Sequence, residues 1–255
     1  MQNVLVTTRL NKVVEMGKGN SAHILKDIHC TINKGEFVSV MGASGSGKST
    51  LLYNISGMDK MTSGTVALEE MELSTMTQPD LAKLRLNFMG FVFQQNHLLK
   101  NLCILDNIML PAVLAKKTSR KQIKEKALGL MKQTGVEHLA YRDITMASGG
   151  ELQRVSICRA LMNDPEILFC DEPTGALNSR SSDEIMDLLA RINHSGTTIL
   201  IVTHDSKVAA KTERVLFMID GSIVSEKHLG KYAPEKDDVR QREAELSIWL
   251  KEMGF

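Results

Sequence analysis

One stretch of the 255-residue chain decides its fold: Gly42-Ala43-Ser44-Gly45-Ser46-Gly47-Lys48-Ser49. It fits the pattern G-x-x-x-x-G-K-[ST], in which glycines let consecutive backbone N–H groups point inward around phosphates and the helix that follows adds its positive end. The context is suitable, because a strand-like run, Phe37-Val38-Ser39-Val40-Met41, precedes the loop and a helical pattern that Gly57 can stop follows it. The stretch therefore predicts a phosphate-binding loop, with Lys48 on the terminal phosphates and the Ser49 hydroxyl on Mg²⁺.

Two carboxylates follow a second strand-like run. Asp171-Glu172 comes directly after the apolar residues Ile167-Leu168-Phe169-Cys170, which places the pair at the carboxyl edge of a sheet, where parallel α/β proteins bind ligands. An Asp there can anchor Mg²⁺ through water, and a Glu beside it can polarise an attacking water. Capping of the next helix is the alternative role, and the phosphate loop in the same chain favours the catalytic one.

The composition excludes several classes of protein. The chain has 31 Lys and Arg against 30 Asp and Glu, a net charge of +1, which argues against a broad nucleic-acid-binding surface. An apolar fraction of 43% is enough to bury a core and argues against disorder. The purest apolar runs, such as Ile199-Leu200-Ile201-Val202, are far shorter than the ~20 residues that cross a bilayer. We therefore expect a globular protein without a spanning segment.

The four cysteines, at positions 30, 103, 158 and 170, form no Cys-x-x-Cys pair and sit among apolar neighbours. This pattern favours reduced thiols used as small hydrophobes over a disulfide framework. The chain also opens without a basic-then-apolar leader. Both observations predict a cytoplasmic location.

Strand and helix patterns alternate along most of the chain, which predicts an α/β fold with a largely parallel sheet. The stretch from about Leu99 to Gly135 carries helical patterns only, so we expect a helical insertion there. Asp220-Gly221 between two apolar runs predicts a hairpin. The further predicted strands cover 28–32, 64–68, 89–93, 167–170, 198–202, 214–219 and 222–225, and the predicted helices cover 79–86, 119–133, 151–162 and 182–193, the last with a capping box at Ser181 and Glu184.

The last 25 residues have a different character. Pro234-Glu235-Lys236-Asp237-Asp238 is typical of a linker, and a helical stripe follows it. The stripe consists of Leu246, Trp249, Leu250 and Met253. A terminal helix that docks on the domain is the simpler interpretation, and a helix that binds a partner is the other.

Ser148-Gly149-Gly150-Glu151 opens another predicted helix, and Ser148 and Glu151 have the S-x-x-E spacing of a capping box. Two successive glycines at a helix N-terminus are costly for a cap alone. They also open a second backbone site for an anion.

With these motifs in place, the chain resembles the ATP-binding cassette (ABC) family over nearly all of residues 1–228. Ser148 precedes Asp171 by 23 residues, which is the family's usual interval between its signature motif and this aspartate. The remaining matches are Gln94 with the Q-loop glutamine, His204 with the switch histidine, and Gly175-Ala176-Leu177-Asn178 with the D-loop.

The resemblance implies an α/β P-loop fold: a mainly parallel sheet core, an antiparallel β subdomain, and a helical subdomain inserted at about 95–160. A linker and an amphipathic helix would form residues 229–255. ATP and Mg²⁺ are the implied ligands and ATP hydrolysis the implied reaction. The implied site residues are Glu172, His204 and Lys48 for catalysis, Ser49, Gln94 and Asp171 for Mg²⁺, and Gly42, Ala43, Ser44, Gly45, Ser46, Gly47, Lys48, Ser49, Thr50, Gln94, Ser148, Gly149, Gly150 and Glu151 for ATP.

The resemblance also implies partners. In the family two cassettes associate head to tail, with each ATP between the loop 42–49 of one copy and Ser148-Gly149-Gly150 of the other, and a separate multi-span permease passes the cargo. We therefore expect a second copy and a permease, no nucleic acid, and a place on the inner face of the membrane. Six basic residues against Glu125 give residues 116–126 a charge of +5, which suits a solvated helix face, lipid headgroups or an acidic permease loop.

Four longer motifs are similar to one subgroup, which holds lipoprotein-releasing ATPases, macrolide exporters and bacitracin-type peptide-antibiotic exporters. The subgroup implies export or removal of antimicrobial peptide, lipid-linked or other amphipathic cargo, and a part in antibiotic resistance. The motifs are Met41-Gly42-Ala43-Ser44-Gly45-Ser46-Gly47-Lys48, Gly90-Phe91-Val92-Phe93-Gln94, Asn107-Ile108-Met109-Leu110-Pro111 and Asp171-Glu172-Pro173-Thr174-Gly175-Ala176-Leu177.

Three positions depart from the family pattern. Val14 stands where an aromatic residue usually stacks on adenine, Ala147 replaces a leucine, and Asn178 replaces the D-loop aspartate. The first departure puts base affinity in doubt and the third puts the contact between the two copies in doubt.

Other functions remain open at this stage. Mechanical signalling in the cell envelope uses the same kind of ATPase. A chromosome-type or ribosome-associated ATPase fits less well, since only 54 positions separate Gln94 from Ser148, too few for a long coiled coil, and one cassette is present. A non-hydrolysing module would fit Val14 and Asn178 but not Glu172 or His204.

Overall fold

A computed structural model describes residues 2–17, 20–236 and 238–254 of the chain and contains two β-sheets flanked by helices. Its strands are β1 (Asn3–Gly17), β2 (Asn20–Asn33), β3 (Phe37–Met41), β4 (Ser63–Leu68), β5 (Met71–Glu72), β6 (Met89–Phe93), β7 (Ile167–Asp171), β8 (Thr198–Val202), β9 (Arg214–Ile219) and β10 (Ser222–His228). Its α-helices are α1 (Lys48–Ile55), α2 (Gln78–Phe88), α3 (Ile104–Ala115), α4 (Arg120–Thr134), α5 (Gly149–Leu161), α6 (Ser179–His194), α7 (Ser206–Ala210) and α8 (Val239–Glu252).

The larger sheet has six strands in the order β10-β9-β3-β8-β7-β6. Every neighbouring pair is parallel except β10 and β9, which form the hairpin predicted at Asp220-Gly221. All five residues of β3, β7 and β8 are buried, as expected for parallel strands covered on both faces. The prediction of a largely parallel core is therefore confirmed.

The smaller sheet is antiparallel, with the order β2-β1-β4-β5. The sequence did not predict β1, and it predicted only the second half of β2. Several register shifts interrupt the pairing of β1 with β2, and Arg9 has a left-handed φ of 47°. Such irregularities break the alternation of buried and exposed residues by which a strand is recognised in a sequence.

A separate helical core is formed by the part of the chain between β6 and β7, in the region where the sequence predicted a helical insertion. It is formed by apolar side chains of α3, α4 and α5, among them Ile108, Met131 and Cys158. Helix α4 begins after Ser119, whose capping box with Gln122 is formed.

The predicted capping box at Ser181 and Glu184 is wrong. Helix α6 begins three residues earlier than expected, because Asn178 is its N-cap and accepts a hydrogen bond of 2.9 Å from the Ser181 N–H. Glu184 instead pairs with Arg180 and Arg154. By contrast, the capping box of Ser148 and Glu151 at the start of α5 is formed.

Helix α8 docks on the six-stranded sheet. Leu246 and Leu250 are buried in one cluster with Met41 and Phe217, and Trp249 meets the ring of Phe217 edge-on at 5.8 Å between centroids. The docking interpretation of the helical stripe is thus the one that the structure supports. The linker before it includes a short 3-10 turn, Pro234–Lys236, and Asp237 lies outside the described residues.

Within the described residues, no helix combines the length and the apolar character needed to cross a bilayer. The four cysteines are all unpaired thiols.

Candidate functional site

The candidate site lies where three adjacent parallel strands end. In the sheet register Val40 of β3 faces Val202 of β8, and Val202 in turn faces Asp171 of β7. The loop 42–47 follows β3 directly. Asp171 is the last residue of β7 and Glu172 comes next, while His204 lies two residues after the end of β8. The topology therefore brings together residues that are more than 100 positions apart in sequence.

The loop after β3 needs glycine for two different reasons. Gly42 has a φ of 155°, and a Cβ at this position would lie 2.3 Å from the Met218 carbonyl oxygen and 2.7 Å from Ser46 Oγ. Gly47 has a φ of 99° and lies close to the Ile24 carbonyl. The Ser46 hydroxyl is buried, and no atom of the described residues forms a hydrogen bond with it. A buried donor without a partner, beside a bare backbone loop at the start of a helix, fits an oxygen-rich anion such as a phosphate.

Lys48 is folded onto its own loop. Its ammonium donates to the carbonyl oxygens of Gly42 at 2.9 Å and of Ala43 at 2.8 Å. Burial lowers the pKa of Lys48, and the nearby carboxylates of Glu172 and Asp171 partly oppose that shift. The ammonium group of Lys48 therefore lies next to the loop, where its hydrogen bonds go to two neutral carbonyl oxygens. An anion bound in the loop could replace these two acceptors.

Ser49 and Asp171 face each other across the site. The Ser49 hydroxyl donates to Asp171 Oδ1 at 2.9 Å, and the Tyr53 hydroxyl donates to Asp171 Oδ2 at 2.8 Å. Burial and the bond to Asp171 raise the pKa of Tyr53 to about 12. A hydroxyl and a carboxylate in contact are hard oxygen donors of the kind that Mg²⁺ takes together with substrate phosphates and water. The donor set therefore fits this ion.

Gln94 reaches the site from β6. Phe93 faces Asp171 in the sheet register, and Gln94 extends one residue beyond that pair. Its side chain is exposed and lies against Gly175, where a Cβ would be 2.9 Å from Gln94 Nε2. Among the hydrogen bonds of the described residues, none joins Gln94 to Ser49 or Asp171. Its assignment to Mg²⁺ stays a prediction.

Glu172 and His204 are in direct contact. His204 Nδ1 lies 2.7 Å from Glu172 Oε1, and the Thr203 hydroxyl donates to Glu172 Oε2 at 3.3 Å. Glu172 has a left-handed φ of 46°, and its N–H donates to the Val202 carbonyl at 3.0 Å. A non-glycine residue in this conformation costs of the order of 1–3 kcal/mol and is typical of functional sites. The carboxylate is thereby held beyond the strand end, where it can orient a water molecule.

The motif Ser148-Gly149-Gly150 lies elsewhere on the same chain, at the exposed start of α5. Glu151 completes the cap, since the Ser148 N–H donates to Glu151 Oε2 at 2.8 Å. The closest neighbours of the two glycines are Leu177 and Ser181, from the segment that starts α6. The helix N-terminus is therefore open to solvent and offers its backbone donors outward.

The sequence did not single out Tyr53, Thr203 or the Met218 carbonyl. Tyr53 is four residues after Ser49 in α1 and so lies on the same face of that helix, which is a signal that could have identified it. Thr203 is adjacent to His204. The Met218 carbonyl has no signal in the sequence, because a backbone oxygen is placed by the fold and not by its side chain.

The structure shows the environment of the three positions that depart from the family pattern. Val14 is 42% exposed on β1, where it pairs with Ala22. Ala147 packs at the edge of the helical core. Asn178 keeps the capping role that an aspartate would have, through the bond to Ser181 described above.

Comparisons with known proteins identify the family of the chain. The sequence model of the family described as ABC transporter matches residues 25–175. The chain is 46% identical over 204 residues to the probable syringafactin export ATP-binding/permease protein SyfD of Pseudomonas syringae pv. syringae, an alignment that covers 80% of this chain and 31% of that protein. It is 37% identical over 253 residues to the macrolide export ATP-binding/permease protein MacB of Aggregatibacter actinomycetemcomitans, covering 99% of this chain and 38% of that one.

The chain thus spans about a third of the length of these curated relatives. A solved structure extends the likeness to the fold. It is a dimeric post-hydrolysis state of the ATP-binding cassette MJ0796 bound to ADP and Pi, with a TM-score of 0.82 and 37% identity over 89% of this chain and 100% of that chain.

Proposed function

Because this chain belongs to the ABC transporter family, we propose that it binds ATP and hydrolyses it to ADP and phosphate in order to drive a membrane permease. Its cargo would be antimicrobial peptide, lipid-linked or other amphipathic compounds, in keeping with the export functions in the names of its relatives. The single observation that best supports hydrolysis is the contact of Glu172 with His204 at 2.7 Å, next to the Asp171 carboxylate that accepts from Ser49.

Binding is assigned to the loop 42–49. Its backbone N–H groups and the start of α1 surround the phosphates, and the Lys48 ammonium exchanges the carbonyls of Gly42 and Ala43 for phosphate oxygens. Ser49 and Asp171 would hold Mg²⁺, which when bound neutralises charge on the phosphoryl oxygens. Gln94 extends the same edge and is the third ligand in this proposal.

Hydrolysis is assigned to Glu172 and His204. The Glu172 carboxylate accepts a hydrogen bond from the attacking water and orients it toward the γ-phosphorus. With both ring nitrogens protonated, His204 would donate to that carboxylate through Nδ1 and to the γ-phosphate through Nε2. Thr203 steadies Glu172 from the opposite side.

The site is completed in this proposal by a second copy of the chain. The N-terminus of α5, with Ser148 and Gly149, is exposed and is suited to cover the γ-phosphate held by the loop 42–49 of the other copy. The dimeric state named for the solved MJ0796 cassette supports the association of two copies.

A groove of about 430 Å³ beside β6 suits the permease. Its lining is mainly apolar, with Ala82, Met89 and Phe91 among the residues, and it also contains Arg85 and Arg159. An amphipathic intracellular helix of the permease with an acidic side chain would fit this combination. Such a partner would hold the chain at the inner face of the membrane.

We further divide the chain into a cassette, residues 1–228, with a helical subdomain at about 95–160, and a C-terminal part, residues 229–255. The separate apolar core of α3, α4 and α5 supports the first division. In the basic stretch 116–126, Lys117 and Lys124 lie over aromatic rings and Lys126 pairs with Asp164, which favours a solvated helix face over a lipid-binding one.

The proposal is tested by hydrolysis and by assembly. We expect the purified chain to release phosphate from ATP with Mg²⁺, and the hydrolysis-deficient variant E172Q to form an ATP-dependent dimer in size-exclusion chromatography with light scattering. S148R should prevent that dimer in the E172Q background. S119R is the matched control, because it disrupts an equivalent capping box on α4, away from the motif. A chain that neither hydrolyses ATP nor dimerises with it would contradict the proposal.

A further inference from the structure

The C-terminal segment, which we define as residues 229–236 and 238–254, lies against the short helix that follows His204. Helix α7 has only five residues, Ser206–Ala210. Isolated helices much shorter than about 12 residues are not stable in water, so a helix of this length depends on its packing. Any element that holds α7 therefore also fixes the backbone on one side of His204.

His204 itself has little to hold it. Its side chain is 67% exposed, and its contact with Glu172 Oε1 is the polar contact that the structure shows for it. On the upstream side the backbone is fixed by β8 and by the bond from the Thr203 N–H to the Val40 carbonyl at 3.1 Å. On the downstream side the Asp205 N–H donates to the Thr203 hydroxyl at 3.1 Å, and beyond that bond the backbone continues into α7.

Arg242 of α8 holds the end of α7. Its guanidinium donates to the carbonyl oxygens of Ala210 at 2.7 Å and of Thr212 at 2.8 Å, and also to those of Leu229 at 2.9 Å and Gly230 at 2.8 Å. Two of these carbonyls lie at or just beyond the C-terminus of α7, where helix carbonyls lack intrahelical partners and a cation is favourable. Arg242 is only 6% exposed, so water cannot easily replace it.

Apolar contacts support the same attachment. Ala209 and Ala210 of α7 are fully buried in one cluster with Leu246 and Leu250 of α8. Met41, the residue directly before the phosphate loop, belongs to that cluster. The C-terminal segment thus packs against α7 and against Met41, the last residue of β3 before the phosphate loop.

Polar contacts then link α7 to α6. The Lys211 ammonium lies 3.0 Å from Asp183 and 2.9 Å from Asp187, and the Tyr232 hydroxyl donates to Asp187 at 3.0 Å. The guanidinium of Arg242 also lies over the ring of Tyr232, 5.8 Å from its centroid. The C-terminal segment therefore contacts α6, α7 and the end of β3.

From these contacts we propose that Arg242 is a positioning residue for ATP hydrolysis, which holds α7 and through it keeps His204 on Glu172. The inference rests on the proposed hydrolytic function. Arg242 touches neither nucleotide nor water in this proposal, so its loss affects turnover and leaves nucleotide binding by the loop 42–49 in place.

The first test is kinetic and uses R242K. A lysine keeps the charge but offers one ammonium in place of a planar fork, so it cannot serve four carbonyls in this geometry. We expect kcat for ATP hydrolysis to fall roughly tenfold, as small displacements of catalytic groups do, with KM changed by less than about twofold. R240K is the matched control on the same helix, since Arg240 is exposed, and it should behave as wild type.

The second test does not depend on activity. The ¹H–¹⁵N signals of the His204 imidazole, recorded for the nucleotide-free chain, should shift or broaden in R242K and stay unchanged in R240K. A wild-type kcat together with unchanged His204 signals would overturn the inference, even if the melting temperature of R242K fell. Should R242K fail to fold, L246A loosens the same helix and is held to the same two readouts. A wild-type chain without ATPase activity would instead refute the proposed function.

Discussion

His204 Nδ1 lies 2.7 Å from Glu172 Oε1, although the two residues follow different strands and are 32 positions apart. Both partners belong to this chain, so the fold itself brings the carboxylate and the imidazole together. Catalytic groups that are already in place need no reorganisation during the reaction, which is a main source of rate enhancement in enzymes. The predictions below start from this pair and move outward.

Replacing Glu172 by Gln should separate binding from turnover. The amide keeps the shape of the side chain and loses its ability to accept a proton from water, so we expect kcat to fall by about 10²–10⁴ while ATP affinity stays close to that of wild type. Phosphate release and equilibrium binding of a fluorescent ATP analogue measure the two quantities. E70Q makes the same chemical change at an exposed residue. Wild-type turnover in E172Q would remove Glu172 from the mechanism.

Tyr53 should support Mg²⁺ binding although it is not expected to touch the ion. Y53F deletes the hydroxyl that donates to Asp171 Oδ2 at 2.8 Å and leaves the carboxylate free to turn. Outer partners of metal ligands are worth about 10–100-fold in metal affinity, so the Mg²⁺ concentration for half-maximal ATPase activity should rise about tenfold. Y141F, at an exposed tyrosine, should not change it. Equal Mg²⁺ dependence in Y53F and wild type would contradict this account of Asp171.

Val14 should limit the recognition of the base. Its aliphatic side chain is half exposed on β1 and cannot stack on adenine as an aromatic ring does. Stacking of a base on an aromatic side chain is worth about 1–3 kcal/mol, so V14Y should tighten ATP binding by roughly tenfold. Isothermal titration calorimetry of ATP against V14Y and V13Y provides the comparison, since successive strand residues point to opposite faces. If both variants bind ATP as wild type does, the base lies elsewhere.

The capping box of Ser148 and Glu151 predicts a pH-dependent stability. The Ser148 hydroxyl and N–H, both hydrogen-bonded to the carboxylate, lower the pKa of Glu151 below its ordinary value of 4.5. A lowered folded-state pKa means that the ionised carboxylate stabilises the fold above pH 4.5, and that this stabilisation is lost as pH falls through the lowered pKa.

The corresponding variants separate the charge from the hydrogen bond. E151A should lower the free energy of unfolding by about 1 kcal/mol near neutral pH, as the loss of a cap does. E151Q keeps an acceptor and loses only the charge, so its smaller deficit should shrink in acid. Urea unfolding of the three proteins at neutral pH and below pH 4 measures both. A deficit of E151Q that is independent of pH would show that the charge plays no part.

Much of the site could be predicted from the sequence because local chemistry determines it. The loop 42–49 is recognised by glycines and a lysine at fixed spacing. Asp171-Glu172 is recognised because two acidic residues directly follow an apolar run. The hairpin at Asp220-Gly221 was equally clear, since both residues adopt the left-handed φ that this turn requires. In each case the signal and the structure that it produces lie within a few residues.

The rest could not be predicted, because it depends on residues far apart in the chain. Strand β1 has bulges that hide its alternation, and its pairing partners lie in β2 and β4. The start of α6 was placed three residues late, since Asn178 and Ser181, three positions apart, are both residue types that can cap a helix. The four acceptors of Arg242 are carbonyl oxygens, whose positions no side-chain pattern reveals.

The position of β3 at the centre of the sheet also bears on how the chain folds. The hydrogen bond from the Gly35 N–H to Thr198 Oγ1 spans 163 residues, and both strands that flank β3 come after residue 197. At a synthesis rate of about 5–20 residues per second, the phosphate motif leaves the ribosome roughly 8–30 s before its first flanking strand. During translation the loop therefore lacks both neighbouring strands of β3 until β8 and β9 have emerged. A chain whose synthesis stops before residue 198 carries the whole phosphate motif and neither of the strands that flank it in the sheet.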